Sequence, residues 1–127
     1  MSFNIEIITP EKVLLSKEVN EVIIPSFEGE MTILQEHSNL LTFLRPGFLT
    51  IIGSSFDEKF FIEEGTIEFF NNQLVVLSSK VVNIKSLNSE KIDEMIKDTN
   101  EKINDDKFND KDKYIFFHKL ETLKLLN

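Results

Sequence analysis

Short apolar runs broken by polar turns fill the first two thirds of the chain. Phe3-Asn-Ile-Glu-Ile alternates with period two, which predicts a strand with one buried face. After a turn at Thr9-Pro10-Glu11 come Val13-Leu-Leu and Val19-Asn-Glu-Val-Ile-Ile, both rich in β-branched residues. Pro25 is expected to end the second of these, because proline has no N–H to give to a ladder. Further runs follow at residues 31–34, 40–44, 48–52, 59–63, 66–70, 74–77 and 81–84. Between them, Arg45-Pro46-Gly47 places proline and glycine as a type II turn has them, and Asn71-Asn72-Gln73 marks a hairpin. Turn signals about every eight to twelve residues, with no room for crossover helices, predict an antiparallel β-sandwich or barrel of about ten strands.

Past Leu87 the period changes. Asn88 or Ser89 is a plausible N-cap, and Glu90, Asp93 and Glu94 fall where a helix N-terminus favours acids. Ile92, Met95, Ile96, Thr99 and Ile103 then form one narrow stripe. A polar break at residues 104–110 precedes a second helical pattern with Phe116, Leu120 and Leu123 on one side and Tyr114, Phe117 and Leu125 beside it. The predicted organisation is mainly β with a C-terminal α part: a sandwich over residues 1–86, then an antiparallel two-helix hairpin over residues 87–127. So thin an apolar seam offsets little of the hairpin's ordering entropy, so weak docking is expected.

Charge sharpens this division. Up to Ile84 there are five basic residues against twelve acidic, a balance of −7, whereas the tail is dense in charge but close to neutral at −1. An acidic body does not seek nucleic acid phosphates or anionic lipid, and a basic protein partner suits it. The absence of cysteine excludes disulfides, thiolate metal sites and thiol nucleophiles. The N-terminal residues show no basic, apolar leader pattern, and no run reaches membrane-spanning length, so direct membrane insertion is not expected. Twelve Phe with one Tyr and no Trp are read as filling between two sheets.

Candidate chemistry is sparse. The four glycines form no phosphate loop, and two well-separated histidines with scattered carboxylates give no metal cage, so neither a metal site nor a bound cofactor is expected. Glu63 and Glu64 are adjacent in a strand and point to opposite faces, so they read as a solvated edge rather than an acid/base pair. His37 lies next to Ser38 in the loop at residues 35–39; backbone hydrogen bonding, an interface contact and general-base chemistry all stay open on these residues alone.

The order Thr9-Pro-Glu, Val22-Ile-Ile-Pro-Ser-Phe-Glu-Gly and Ile33-Leu-Gln-Glu-His-Ser-Asn-Leu-Leu-Thr-Phe-Leu-Arg-Pro-Gly resembles the epsilon subunit of F-type ATP synthases. Ile62-Glu-Glu-Gly-Thr-Ile-Glu-Phe-Phe-Asn-Asn-Gln-Leu-Val-Val-Leu continues the likeness, which covers the body from Phe3 to Leu77. Ser26 and Thr32 stand where that family usually has glycine, Gln35 replaces a common proline, and Glu64 replaces the first of two glycines. The resemblance implies a non-catalytic rotor subunit, peripheral on the cytoplasmic side of an energy-transducing bacterial membrane. It would couple rotation of the proton-driven c-ring to ATP synthesis. By matching positions it puts Glu28 and Glu30 toward the c-ring, and His37, Ser38 and Leu40 toward the gamma subunit.

It further implies a hairpin that folds down or extends along gamma to touch the alpha and beta subunits, restraining ATP hydrolysis. Some members also bind a regulatory ATP at Ile/Leu-Asp-x-x-Arg-Ala. Here the matching residues are Leu87, Asn88, Lys91 and Ile92, and lysine lacks the planar fork of arginine. A free-standing ligand- or peptide-binding sandwich, or a small hydrolase built on His37, are the competing readings.

Overall fold

The computed structural model describes residues 2–126. Ten strands run in order: β1 Phe3–Ile8, β2 Val13–Val19, β3 Glu21–Ser26, β4 Gly29–Leu34, β5 Leu40–Leu44, β6 Gly47–Ile52, β7 Asp57–Ile62, β8 Gly65–Phe70, β9 Gln73–Leu77 and β10 Val81–Asn83. A short 3-10 turn at Ile84–Ser86 leads to helices α1 Ser89–Ile103 and α2 Asp110–Lys124. The hydrogen-bonded order is β10-β7-β6-β3-β5-β8-β9-β1-β2, with β4 paired to β3.

One pairing departs from the antiparallel expectation: β1 lies parallel to β9 while it pairs antiparallel with β2. The sheet wraps far enough to bring the first strand beside the ninth, and a parallel neighbour is available there because most of the domain serves as the connection.

Alternation along these strands builds the core. Phe3, Ile5 and Ile7 of β1, Ile67 and Phe69 of β8, and Leu74 and Val76 of β9 are buried with Ile24, Ile33, Leu49, Ile51, Phe60 and Ile62 from the other half. Phe3 meets Phe69 edge-on, centroids 5.5 Å apart, an arrangement that suits the quadrupoles of both rings.

Pro25 does not end β3, which continues through it to Ser26. The strand changes partners there: Glu21 to Ile23 pair with β6, whereas Ser26 pairs with Leu44 of β5. The Pro25 carbonyl accepts from the Arg45 N–H at 3.0 Å, so the missing donor falls at the corner where the sheet turns over. Gly47 likewise is not the left-handed residue of a type II turn. It opens β6 as a buried residue, and a Cβ on it would stand 2.5 Å from the Pro25 Cβ.

Gly29 and Gly65 both have positive φ, 129° and 156°, and Gly65 in addition has no room for a Cβ against the Leu77 carbonyl oxygen. Gly65→Ala is therefore expected to cost about 1–3 kcal/mol, read as a lower urea midpoint at unchanged slope.

The helices match the reading from periodicity. Asn88 and Asn109 cap α1 and α2 by accepting from the N–H groups of Lys91 and Asp112, each at 2.8 Å. Ile92 and Thr99 of α1 and Leu120, Thr122 and Leu123 of α2 are buried, and Phe108 in the connection packs edge-on against Phe116 at 5.0 Å. Helix α2 also contacts β6. Phe61 is only 1% exposed although its strand neighbours Phe60 and Ile62 fill the opposite, inner face, which fits a hairpin laid over the outside of β6 and β7.

Candidate functional site

Where β5 faces away from the core, the strand offers side chains to solvent. Leu40 turns inward and packs against the core, so the exposed position belongs to the next residue, Leu41, and to Phe43 two further on. These are 74% and 65% exposed, large values for such side chains. Register carries the apolar character across neighbouring strands. Phe43 stands opposite Thr66, Thr66 opposite Leu77, Leu77 opposite Ile8, and Ile8 opposite Val13. Leu77, Val13 and Phe70 are also exposed, so an apolar row crosses the outer surface from β5 to the near ends of β9, β1 and β2, while Glu68, Gln73, Glu6, Asn4 and Glu18 make the rest of that surface polar. A cavity of about 640 Å³ continues this face under α2, lined by Ile8, Phe27, Phe43, Leu77, Lys111 and Ile115 among others.

Two loops bound the face. At one end, residues 34–37 form a turn in which the His37 N–H donates to the Leu34 carbonyl at 3.1 Å and Glu36 takes φ of 66°. That conformation is unusual for a residue with a Cβ, and Asn72 supports it. The Asn72 side chain accepts from the Glu36 N–H at 2.8 Å and donates to its carboxylate at 2.9 Å. Asn72 is itself left-handed in the β8–β9 turn, as asparagine tolerates. The His37 Nδ1 lies 2.8 Å from the Ser38 carbonyl, and the ring meets buried Phe69 edge-on at 6.0 Å. Asn72→Ala is expected to lower stability by about 1 kcal/mol and to speed hydrogen exchange at the Glu36 amide.

At the other end the β3–β4 turn presents Glu28 and Glu30, both exposed. Buried Ser26 hydrogen-bonds the Gly29 carbonyl at 2.6 Å, which is how a serine is absorbed at a position where glycine is usual in the resembled family. Glu30, near the start of β4, and His37, in the turn after its end, thus stand toward opposite ends of that strand, roughly 15 Å apart at strand rise. The structure does not gather them into one cluster.

Helix α2 reaches this second end. The Phe27 ring stacks on Tyr114 at 6.0 Å, and the Tyr114 hydroxyl donates to the Phe27 carbonyl at 3.3 Å. Arg45 donates to the Tyr114 hydroxyl at 3.1 Å, and the same Nη1 lies 3.5 Å from Nε2 of His118. Glu63 is not part of a solvated edge: it pairs with Lys119 of α2 at 2.7 Å, both half-buried. Sequence spacing could not link Glu63 to a residue so far along the chain.

Of the residues matched to a nucleotide motif, Asn88 is engaged as the α1 cap and Lys91 is exposed on the first turn. Among the described residues no group of three or more His, Asp or Glu is placed to hold a metal ion. No described helix is long and apolar enough to cross a membrane.

These features define a class: a β-sandwich with an exposed apolar row, an acidic turn and a helical appendage. Comparison with known proteins makes it specific. Residues 2–84 match the family described as ATP synthase, Delta/Epsilon chain, beta-sandwich domain. An ATP synthase epsilon chain of Pelagibacter ubique strain HTCC1062 is 43% identical over 98% of this chain and 97% of its own length. One from Jannaschia sp. strain CCS1 is 30% identical over 76% and 73%. The fold is shared with a chain of the Euglena gracilis mitochondrial ATP synthase OSCP/F1/c-ring structure, at a TM-score of 0.81, 17% identity and coverage of 98% and 80%. A chain of the Tetrahymena thermophila central stalk/c-ring structure gives 0.62, 16%, 97% and 92%. The chain belongs to the delta/epsilon chain family of ATP synthase. That membership makes it a non-catalytic subunit of the ATP synthase.

Proposed function

We propose that this chain is held on the gamma subunit by the outer face of β5, β8 and β9 and meets the c-ring through the Glu28/Glu30 turn. The observation that supports this most is the apolar row itself, since a large exposed apolar patch on an otherwise charged protein marks a surface that a partner covers. Phe43, Leu41 and Phe70 have the size and exposure of interface anchors. His37 and Ser38 extend the gamma contact at one end of the row. At the other end, Glu28 and Glu30 are free to meet basic groups on the c-ring loops, and the acidic body favours that encounter. Torque passing between ring and shaft then runs through a rigid sandwich, without any catalytic residue of this chain.

The helical hairpin is the movable part of this proposal. It sits on the sandwich through a limited set of contacts along α2, and once released it would reach along gamma to the alpha and beta subunits and restrain ATP hydrolysis. In this reading the subunit is peripheral, on the cytoplasmic side of the bacterial energy-transducing membrane. A regulatory ATP would be met by Leu87, Asn88 and Lys91, and calorimetric titration with ATP measures it: saturable heat assigns the site, and its absence removes it.

The docking face is tested by oxidative footprinting of the isolated chain and of the assembled enzyme. Leu41, Phe43 and Phe70 are expected to be labelled in the first and protected in the second; equal labelling in both would place gamma elsewhere.

A further inference from the structure

One turn of α2 contains a titratable side chain that the docking scheme above does not use. Arginine has no acceptor, so Arg45 can donate to the His118 Nε2 it faces at 3.5 Å only when the imidazole is neutral with its proton on Nδ1. The same Arg45 nitrogen holds Tyr114, whose ring lies 4.5 Å from that of His118, and Phe117 packs at 5.6 Å on the other side. Adding a proton to His118 would set two cations against each other across the seam between hairpin and sandwich. Among the charged groups, Arg45 faces His118 from the β5–β6 turn and Glu121 from its own helix. Lys119, the next residue, is already paired with Glu63. Glu121 is exposed and compensates only in part.

We propose that His118 is a proton-sensitive latch: the neutral imidazole holds α2 on the sandwich through Arg45, and its protonation releases the hairpin. This rests on the hairpin mobility proposed above and names its trigger. Burial first, and Arg45 second, hold His118 below its ordinary value of 6.5, with Glu121 pulling the other way. The released hairpin therefore binds the proton more readily than the docked one. Docking is at full strength above 6.5 and weakens as pH falls from there through the lower, docked value. The Arg45–Tyr114 and Lys119–Glu63 contacts do not require a neutral imidazole and give the latch its residual hold.

The test uses the full isolated chain, measuring hydrogen exchange along α2 corrected for intrinsic rates, with β1 and β9 amides as the internal reference. Protection of α2 is expected to fall, by at most about tenfold, between about pH 7.5 and about pH 5.5 while the sheet is unchanged, since one pH unit below the released value is worth no more than a factor of ten. His118→Gln is expected to flatten that response, and the His118 ring in the wild-type chain is expected to titrate below 6.5 by NMR. Protection of α2 equal to that of the sheet at every pH would refute hairpin mobility itself. An α2 that opens equally at all pH, a pH response that survives in His118→Gln, or a His118 midpoint at or above 6.5 would overturn the latch alone. The midpoint keeps the idea testable if the variant fails to dock.

Discussion

Phe43→Asp is expected to lower affinity for the ATP synthase gamma subunit by about 30- to 1,000-fold, the loss of about 2–4 kcal/mol that follows removal of an aromatic anchor at an interface. The reason lies in the register of β5. Leu40, Thr42 and Leu44 stand opposite Phe69, Ile67 and Gly65 on the inner side, which leaves Leu41 and Phe43 facing water. Phe43 contributes almost nothing to the core, so the substitution should leave the isolated sandwich within about 0.5 kcal/mol of its original stability. The backbone of Phe43 still accepts from the Phe27 N–H, at 3.2 Å, whatever its side chain. A calorimetric titration at fixed salt separates the two effects, and an affinity within threefold of wild type would remove Phe43 from the interface.

Phe69→Ala has the largest expected effect on folding, about 3–5 kcal/mol, because it deletes a fully buried ring and leaves a cavity that neighbouring strands cannot close. Phe69 is 1% exposed, meets Phe3 edge-on and carries the His37 ring on its other side. The loss should therefore appear in two places: a lower urea midpoint for the whole sandwich, and a shifted His37 ring resonance in the fraction that remains folded. A change under about 1 kcal/mol would mean that this core collapses around the gap, contrary to close packing between the two halves.

The strands were legible because their alternation has period two and their turns carry Asn, Gly and Pro. Asn71-Asn72 does form the left-handed hairpin turn, and the ten strands follow the runs closely. What was not legible depends on contacts between distant segments. Pro25 reads as a strand end until the strand is seen to change partners there. Leu40 and Leu41 are equally apolar, and only register decides which of them faces the core. Glu63 pairs with Lys119, and Arg45 with Tyr114 and His118, across the seam between sandwich and hairpin. No local spacing encodes such pairs. For the candidate site, the motif around residues 25–47 located the two loops correctly as separate features, but not the apolar face that joins them. Its signal was available in hindsight: Leu41, Phe43, Phe70 and Leu77 occupy the positions that period two assigns to the solvent side, where polar residues are the rule.

The two loops that bound the apolar face are each fixed by their own contacts. The His37 turn is fixed to the β8–β9 hairpin by Asn72, and the Glu28/Glu30 turn is braced by Ser26 and, through Phe27, by α2. Each end of the apolar face is held by a different set of contacts. Release of the hairpin would remove the Tyr114 support from one end only, so the position of the hairpin and the shape of the Glu28/Glu30 turn are linked.

The most direct test of the central claim is a titration of the purified full chain into purified gamma subunit. A saturable one-to-one complex, with Leu41, Phe43 and Phe70 protected from oxidation on binding, is the predicted result. No complex, or a complex that leaves those three side chains as reactive as in the free chain, would contradict it.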